Sequence, residues 1–340
     1  MYHLIMPIKV LIVIITHGRF KCLDLCLESL ARSLQKVASQ KKYTFTVLLG
    51  LNGIEAPIWL SNHEISKSDS FQILKIKNHL SPPAARNVLM KSMTSDYTVF
   101  FDDDVIIPES YLVDLCDLIS QHPDLQVLGG PNLSPPQATL FERASGLALA
   151  STWGTSAISS RYSLRKDSFF TRSELPFALC NLCIKNENQD LFHKDLKYGE
   201  ETDLLQRLFK DSKCLGLYSP QLFVWHFRRP TWSSFMIQMF KYGLGRGLTL
   251  KEASSNRKLQ FLGLVGLYLF LAIILLLHPV LLLSVLILIS ILSLMTAPKP
   301  FDIKLWFYLS LSLIFIYALY PLGVIVGAIR RFFPSIEEHP

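Results

Sequence analysis

A long apolar tail places the strongest constraint on what this 340-residue chain can fold into. Residues 1–258 have the mixed composition of a globular protein, whereas the only charged residues within 259–329 are Lys299, Asp302 and Lys304. So little charge over this length is typical of membrane-spanning helices, because the bilayer interior solvates charged groups poorly. The sequence therefore predicts a globular part followed by a membrane part.

Prolines and charged residues divide the tail into predicted spans. A span needs roughly 20 residues to cross about 30 Å of hydrocarbon. The predicted organisation is a globular domain over 1–230, an interfacial amphipathic segment over 231–258, spans at about 259–277, 280–296 and 305–329, and a short end at 330–340. Three spans would put Lys304 and Arg330 on opposite sides of the bilayer, against the positive-inside tendency, so the number and orientation of spans stay open.

The globular part alternates strand-like and helix-like segments. The predicted strands are residues 10–16, 43–51, 71–76, 97–101 and 126–129. The predicted helices are residues 23–38, 83–92, 110–121 and 199–210. Such alternation indicates an α/β domain with a mostly parallel sheet. Residues 134–175 are polar and rich in serine, and they predict an irregular, partly mobile segment.

The net charge of the chain indicates which kind of binding partner is favoured. The formal net charge of +7 comes largely from basic residues beside the apolar stretches, which favours membrane lipids as partners over nucleic acid.

Cys180 and Cys183 have the spacing of half a zinc site, but the sequence has no second pair of this kind. Because both lie in the apolar run 177–184, they are interpreted as buried free thiols.

The strongest chemical signal is a run of three carboxylates, Asp102, Asp103 and Asp104, directly after a predicted strand. In open α/β sheets, ligands bind beyond the carboxyl ends of the strands. Adjacent carboxylates repel one another unless a cation lies between them, and their hard oxygens suit Mg²⁺ or Mn²⁺. A metal that holds a diphosphate is one interpretation, and a turn of solvated aspartates is the other.

Two further clusters contain side chains that can act in catalysis or in ligand binding. Glu200 and Glu201 lie at the start of a predicted helix, where acids complement the helix dipole or supply a general base. His226 follows a strand-like run and precedes Arg229, so an imidazole and a guanidinium are available for a metal and a phosphate. Both clusters also have a purely structural interpretation.

Taken in order, these motifs resemble family 2 glycosyltransferases. The likeness rests on residues 13–19, Ala85-Arg86-Asn87, Asp102-Asp103-Asp104, Gly129-Gly130-Pro131, and 199–204 with Arg207. His226 and the stretch 238–246 resemble membrane-anchored enzymes of the succinoglycan exopolysaccharide type. The resemblance covers about residues 8–250 and implies the GT-A fold, a mostly parallel sheet domain, here followed by C-terminal transmembrane helices.

The resemblance also implies roles for particular residues. The implied catalytic base is Glu201 or Glu200. The implied ligands of a divalent metal, Mn²⁺ or Mg²⁺, are Asp104, Asp102 and His226. The implied donor-binding residues are Thr16, Arg19, Asn52, Arg86, Asp102, Asp103 and Arg229. The implied acceptor or interface residues are Gln238, Tyr242 and Arg246.

The predicted function is inverting transfer of a sugar from a nucleotide-sugar donor to a lipid-linked saccharide or other glycan acceptor. The expected setting is surface polysaccharide or glycolipid synthesis at the inner (plasma) membrane, with the catalytic domain in the cytosol. Two departures from the family pattern are Glu201, where an aspartate is usual, and Leu51, where an acid is common. The alternatives are a polyprenyl-phosphate sugar transferase, a processive synthase, or a non-catalytic membrane protein with a degenerate transferase domain.

Overall fold

The computed structural model describes residues 6–186, 191–196, 198–251 and 277–332, together with 263, 265, 266, 268–270, 273 and 274. The chain divides into two compact units. The sheet unit comprises Met1–Pro135, Ser163–Lys197 and Arg207–Phe227. The helical unit comprises Pro136–Tyr162, Tyr198–Gln206 and Arg228–Pro340. The domain boundary at residue 230 stays a prediction.

The sheet unit is built on an eight-stranded sheet in the order β3-β2-β1-β4-β9-β6-β10-β8. Its strands are β1 Ile8–Thr16, β2 Tyr43–Asn52, β3 Phe71–Ile76, β4 Tyr97–Asp102, β6 Val127–Gly129, β8 Phe169–Thr171, β9 Asn181–Lys185 and β10 Gly216–Tyr218. A smaller sheet contains β5 Val105–Ile106, β7 Asn132–Leu133 and β11 Val224–His226. In the large sheet β8 and β9 run against their neighbours and the other strands are parallel to one another. The predicted mostly parallel α/β fold is therefore confirmed.

The centre of the sheet is apolar because both of its faces are covered. Leu11, Ile12, Val13 and Ile14 of β1 are all buried, as expected for a strand inside a parallel sheet. Helices α1 Phe20–Val37, α2 Pro82–Ser92 and α3 Tyr111–Gln121 belong to the same unit. The apolar residues of α1 and α3 recur at helical spacing and enter the same core, as Leu23, Leu27, Leu30, Leu112, Leu115 and Ile119 show.

Strand register brings the predicted site residues to one edge of the sheet. β1 pairs in parallel with β2, placing Thr16 opposite Leu51. β1 also pairs in parallel with β4, placing Ile15 opposite Asp102. The carboxyl ends of three central strands therefore meet, and this is where α/β sheets bind ligands.

The expectation of an irregular segment over residues 134–175 is wrong for part of its length. Helix α4 Leu140–Ala150 lies within it, and a short helix α5 Thr152–Thr155 follows. Thr139 accepts from the backbone N–H of Glu142, and the Glu142 carboxylate accepts from the backbone N–H of Thr139. This capping box fixes the start of α4, and its Thr-x-x-Glu spacing was present in the sequence.

Most of the helical unit is formed by helices of the C-terminal part. It contains α7 Trp232–Leu248, α8 Pro279–Thr296 and α9 Ile303–Phe332. Buried residues of α9 recur every four positions, at Leu305, Leu309 and Leu313, and share a core with Phe141 and Phe235. One stripe of α9 therefore packs against protein.

Helices α7 and α9 touch through two pairs of glycines, each spaced by four residues. A Cβ on Gly243 would lie 2.0 Å from the Tyr320 carbonyl oxygen, and one on Gly247 would lie 2.4 Å from that of Val324. On α9, a Cβ on Gly323 would lie 2.1 Å from the Phe240 carbonyl oxygen. The two backbones are thus in direct contact, which is the packing that small residues four apart permit.

One helix among the described residues, Ile303–Arg330, is long and apolar enough to cross a membrane, judged by length and composition. The shorter apolar helix Val280–Thr296 falls below that length. The predicted span 259–277 lies largely outside the described residues. A multi-pass arrangement is therefore not supported by the part of the chain that the structure describes.

Candidate active site

Three consecutive carboxylates lie where β4 ends. Asp102 is the last residue of β4, and Asp103 and Asp104 form the turn into β5. Asp103 is 1% exposed and Asp104 is 3% exposed. Buried carboxylates are costly unless cations or hydrogen-bond donors compensate them. The partners of this cluster therefore define the site.

Arg19 is the first of these partners. It immediately precedes α1, and its guanidinium contacts Asp103 Oδ1 through Nη2 and Asp104 Oδ2 through Nη1. Burial lowers the pKa of Arg19, but the carboxylates of Asp104, Asp103 and Asp102 raise it, and the net pKa lies above its ordinary value. The predicted donor residue Arg19 thus neutralises two of the three acids.

Asp103 has an unusual protonation equilibrium. The pKa of its carboxyl is raised to about 6, and burial is the largest cause. The charge of Arg19 and a hydrogen bond from Thr16 lower this pKa, whereas the charges of Asp104 and Asp102 raise it. The hydroxyl of Thr16 donates to Asp103 Oδ2 over 2.7 Å. Thr16 ends β1, so the parallel pairing of β1 with β4 explains this contact.

Arg86 compensates the remaining aspartate. It lies in α2, and its Nη2 is 3.1 Å from Asp102 Oδ1. Its side chain is only 10% exposed. The neighbouring Asn87 instead bonds the backbone of Phe192, donating to its carbonyl over 2.7 Å and accepting from its N–H over 2.9 Å. Within Ala85-Arg86-Asn87, arginine therefore faces the acids and asparagine holds a distant loop.

His226 reaches the acids from the small sheet. It is paired with Val105 across the antiparallel ladder of β5 and β11, one residue beyond Asp104. Its Nε2 lies 3.1 Å from Asp104 Oδ1, and the Phe227 N–H donates to the Asp104 carbonyl. The structure thus brings together two of the predicted metal ligands, which are 122 residues apart in sequence.

The chemistry of these side chains fits a divalent cation. Carboxylate oxygens and a neutral imidazole are ordinary ligands for Mn²⁺ and related ions. Asp102, His226 and also Cys180 each offer one ligand atom, and these atoms all lie within 4.8 Å of one another. The sequence interpretation of Cys180 as a buried free thiol did not anticipate this position, because it depends on how β4 and β9 pair.

The predicted donor residue Asn52 is buried and engaged with backbone. Its Nδ2 donates to the Leu80 carbonyl and its Oδ1 accepts from the Leu80 N–H, both over 2.9 Å. His17 Nδ1 lies 2.8 Å from the Asn52 carbonyl oxygen, and the His17 ring is 4.0 Å from that of His79. Asn52 therefore orders the loop beyond β2, and two exposed imidazoles that sequence reasoning missed lie beside it.

The second group of acids belongs to the helical unit. Helix α6 Glu200–Leu208 begins directly after Gly199, whose φ of 76° is a conformation that favours glycine. Glu201 Oε1 lies 3.4 Å from Nη1 of Arg161, and their side chains are 18% and 9% exposed. Sequence reasoning missed Arg161 because it lies in the segment predicted to be irregular.

A close backbone approach fixes the start of α6. A Cβ on Gly245 of α7 would lie 2.9 Å from the backbone N of Gly199 and 3.0 Å from the carbonyl carbon of Tyr198. Glycine at 245 therefore lets α7 pass directly against the residues that precede Glu200. The predicted helical start at this motif is confirmed.

The predicted acceptor or interface residues lie on α7. Gln238 Nε2 donates to the hydroxyl of Tyr242 over 3.0 Å, and the Tyr242 side chain is 39% exposed. Arg246 lies in the last turn, where a cation complements the helix dipole. Arg229 is half-buried in the loop before α7, and its neighbour Arg228 is buried with its guanidinium 5.1 Å from the Tyr162 ring centre. Donor and acceptor roles for these residues stay predictions.

Comparison with known proteins places this architecture. The family model described as Glycosyl transferase family 2 matches residues 11–183. No curated protein sequence is significantly similar to the chain. A mannosyltransferase from Pyrobaculum calidifontis, solved with GDP-Man and Mn²⁺, is 10% identical with a TM-score of 0.61 over 97% of this chain and 88% of that chain. TarS of S. aureus, solved with UDP-GlcNAc, is 14% identical with a TM-score of 0.51 over 72% of this chain and 66% of that chain, just under two thirds of its length. At these identities the two structures indicate a shared fold.

Proposed function

The chain belongs to glycosyl transferase family 2, and from that premise we propose that it transfers a sugar from a nucleotide-diphosphate donor to a saccharide hydroxyl, with inversion at the anomeric carbon. One observation supports this most directly. Buried Asp103 and Asp104 meet Arg19 and His226 at the carboxyl edge of the sheet, where a diphosphate would need positive charge.

The donor end of the reaction is assigned to the sheet unit. Asp104, Asp102 and His226 would hold a divalent cation, Mn²⁺ or Mg²⁺. Such an ion, when bound, offsets the negative charge that develops on the departing diphosphate. Arg19 faces the same carboxylates and, with Thr16, would bind the donor. The mannosyltransferase of similar fold was solved with a nucleotide sugar and Mn²⁺, which agrees with this assignment.

Further donor contacts are assigned to Asp103, Arg86, Asn52 and Arg229. Arg86 holds Asp102 in place from α2, and Asn52 orders the loop beyond β2. Both would act on the donor by keeping this edge of the sheet in one conformation. The role of Arg229 is proposed from its sequence motif, and its guanidinium would add positive charge for binding the diphosphate.

The acceptor hydroxyl needs a general base, and Glu201 is the preferred candidate. Its contact with Arg161 restricts its rotamers, and Glu200 is the neighbouring alternative. The hydroxyl oxygen attacks the anomeric carbon as its proton passes to the carboxylate. One catalytic carboxylate is sufficient here, because the leaving group is stabilised electrostatically, while glycosidases need two.

The acceptor is proposed to be a lipid-linked saccharide. The helix Ile303–Arg330 has the length and composition of a membrane span, and α7 packs on it through glycines. Gln238, Tyr242 and Arg246 of α7 would then lie near the lipid headgroups, where aromatic and basic side chains are favoured. We assign the enzyme to the plasma (inner) membrane, with residues 1–230 in the cytosol and a role in surface polysaccharide or glycolipid synthesis.

A donor panel tests the proposal. Membranes that contain the full-length protein are incubated with UDP-, GDP- and dTDP-sugars and lipid extract, in Mn²⁺, in Mg²⁺ or in chelator. We expect one donor to give metal-dependent incorporation into a lipid-extractable saccharide. Equal turnover in chelator, or no transfer from any donor, would contradict the proposal. A product in which the sugar is joined directly to lipid phosphate would instead identify a polyprenyl-phosphate sugar transferase.

A further inference from the structure

We infer that Cys180 is a further protein ligand of the divalent cation, beside Asp104, Asp102 and His226, and that its sulfur makes the site prefer thiophilic ions over Mg²⁺. The inference rests on the proposed function in assuming that an ion binds at this edge of the sheet. It adds a ligand, and a choice between Mn²⁺ and Mg²⁺, that the motifs of the sequence leave open.

The pairing of β4 with β9 puts the sulfur in reach. These strands are antiparallel, and Phe101 is opposite Asn181. Asp102 is the last residue of β4, and Cys180 lies in the turn directly before β9, so the pairing brings the two residues to the same end of the sheet. His226 approaches from β11, and the three ligand atoms lie within 4.8 Å of one another. Ligand atoms bound at 2.0 to 2.3 Å from one ion lie roughly 3 to 4.5 Å apart, so a small adjustment closes the site.

The other cysteine of the pair provides the contrast. Cys183 lies inside β9 opposite Val99, and its side chain is completely buried. Burial raises the pKa of the Cys183 thiol well above its ordinary value, which suits an inert core residue. Cys180 keeps 5% exposure, and its sulfur faces a carboxylate and an imidazole. The two thiols of Cys-x-x-Cys therefore have different surroundings.

The ligand set determines which ions are favoured. A thiolate is a soft ligand that selects ions such as Zn²⁺, whereas Mg²⁺ prefers oxygen ligands in octahedral geometry. The thiol must lose its proton to bind, so ion binding at Cys180 releases one proton. A mixed Asp, His and Cys site should thus bind Mn²⁺, Co²⁺ and Cd²⁺ more tightly than Mg²⁺.

Cobalt serves as the spectroscopic probe. Full-length protein in detergent is stripped with chelator, transferred to chelator-free buffer and titrated with Co²⁺. We expect a sulfur-to-cobalt charge-transfer band in the near ultraviolet that saturates at one equivalent. Cys180→Ser should abolish the band and weaken Cd²⁺ binding by about 10- to 100-fold, with little change for Mg²⁺. Cys183→Ser is the matched control and should keep the band. Its absence in the wild type, or its persistence in Cys180→Ser, would overturn the inference.

A measurement on the wild type protects the test against a variant that fails to fold. X-ray absorption of protein loaded with one equivalent of Zn²⁺ should reveal a sulfur neighbour at about 2.3 Å. A shell of nitrogen and oxygen alone would refute the assignment of Cys180.

Failure of this inference can be told apart from failure of the proposed function. If Co²⁺ binds without a thiolate band while chelator still abolishes sugar transfer, only the role of Cys180 is wrong. If transfer continues unchanged in chelator, the metal-dependent function is wrong, whatever the spectrum of Cys180 shows.

Discussion

The molecule has two groups of acidic residues that are built in different ways. The strand-end acids, Asp102 to Asp104, are contacted by side chains from other strands and helices, namely Thr16, Arg19, Arg86 and His226. The helix-start acids, Glu200 and Glu201, lie at the N-terminus of α6, and Arg161 contacts Glu201 from a separate segment.

The difference indicates different tasks. Asp103 and Asp104 are almost fully buried, so nearby positive charge must compensate their negative charge. A bound cation can replace a side-chain cation in that role. Glu201 keeps more exposure and is fixed by the helix N-terminus and by backbone contact between Gly199 and Gly245. A buried, balanced cluster suits the binding of a charged donor, whereas a fixed, accessible carboxylate suits proton transfer.

The largest expected effect comes from Asp104→Ala. It removes an oxygen next to His226 and a partner of Arg19, so both metal-dependent donor binding and transfer should fall. Loss of several kcal/mol of leaving-group stabilisation corresponds to about a 10³- to 10⁴-fold drop in kcat/KM. Calorimetry with nucleotide sugar and Mn²⁺, beside a transfer assay, provides the measurement. Asp117→Ala, an exposed acid on α3, is the control and should behave as wild type. Unaltered donor binding in Asp104→Ala would contradict the assignment of donor binding to the strand-end acids.

Glu201→Gln should affect chemistry alone. The substitution keeps the shape of the side chain and removes its ability to accept a proton, so kcat should fall by about 10³-fold. Donor binding measured by calorimetry should stay as in wild type. The comparison with Glu200→Gln decides which carboxylate is the base, since the larger loss of kcat identifies it. A loss of donor affinity in Glu201→Gln would mean that the helix-start acids also bind the donor.

Asp103 gives the strand-end group a pH dependence. Its pKa is about 6 in the folded protein and near 3.8 when unfolded, so between these pH values the folded state holds a proton that the unfolded state has lost. Its contribution to stability is therefore fully present below about pH 3.8 and is lost as pH rises from there through 6, by at most about 3 kcal/mol. Asp103→Asn resembles the protonated form, because an amide oxygen can still accept from Thr16.

Thermal unfolding in chelator measures this effect. Asp103→Asn should melt at about the wild-type temperature near pH 3.5 and a few degrees higher at pH 7.5. A constant difference across that range would show that the burial of Asp103 is compensated in another way.

Much of the strand-end site was predictable from sequence. An apolar run followed by three aspartates indicates a buried strand that ends in carboxylates, and the alternation of elements predicts the sheet edge where they lie. Strand 71–76 has the predicted bounds, and β4 extends one residue further, to Asp102. Local patterns suffice where the functional residues adjoin one strand.

Contacts between distant segments were not predictable in this way. Cys180 was interpreted as a buried thiol because its apolar neighbours say nothing about the register of β9 against β4. Arg161 follows α4, a helix missed although Thr139 and Glu142 form its capping box. The glycines of α7 lie in a stretch that resembles the family, but their contacts with the backbone of α9 could not be predicted from it. Gly243 of α7 and Gly323 of α9 are 80 residues apart in sequence.

The smallest predicted effect tests whether backbone contact positions the helix-start acids. In Gly245→Ala the new Cβ would come within 2.9 Å of the Gly199 backbone, so the start of α6 must shift. A small displacement of Glu201 should lower kcat by about tenfold, roughly 1.4 kcal/mol, with donor affinity unchanged. Gly266→Ala is the matched control, because a Cβ there meets nothing within 4 Å. Equal rates for the two variants in the transfer assay would show that α6 keeps its position without the glycine. Glu201 would then be held by Arg161 and the helix N-terminus alone.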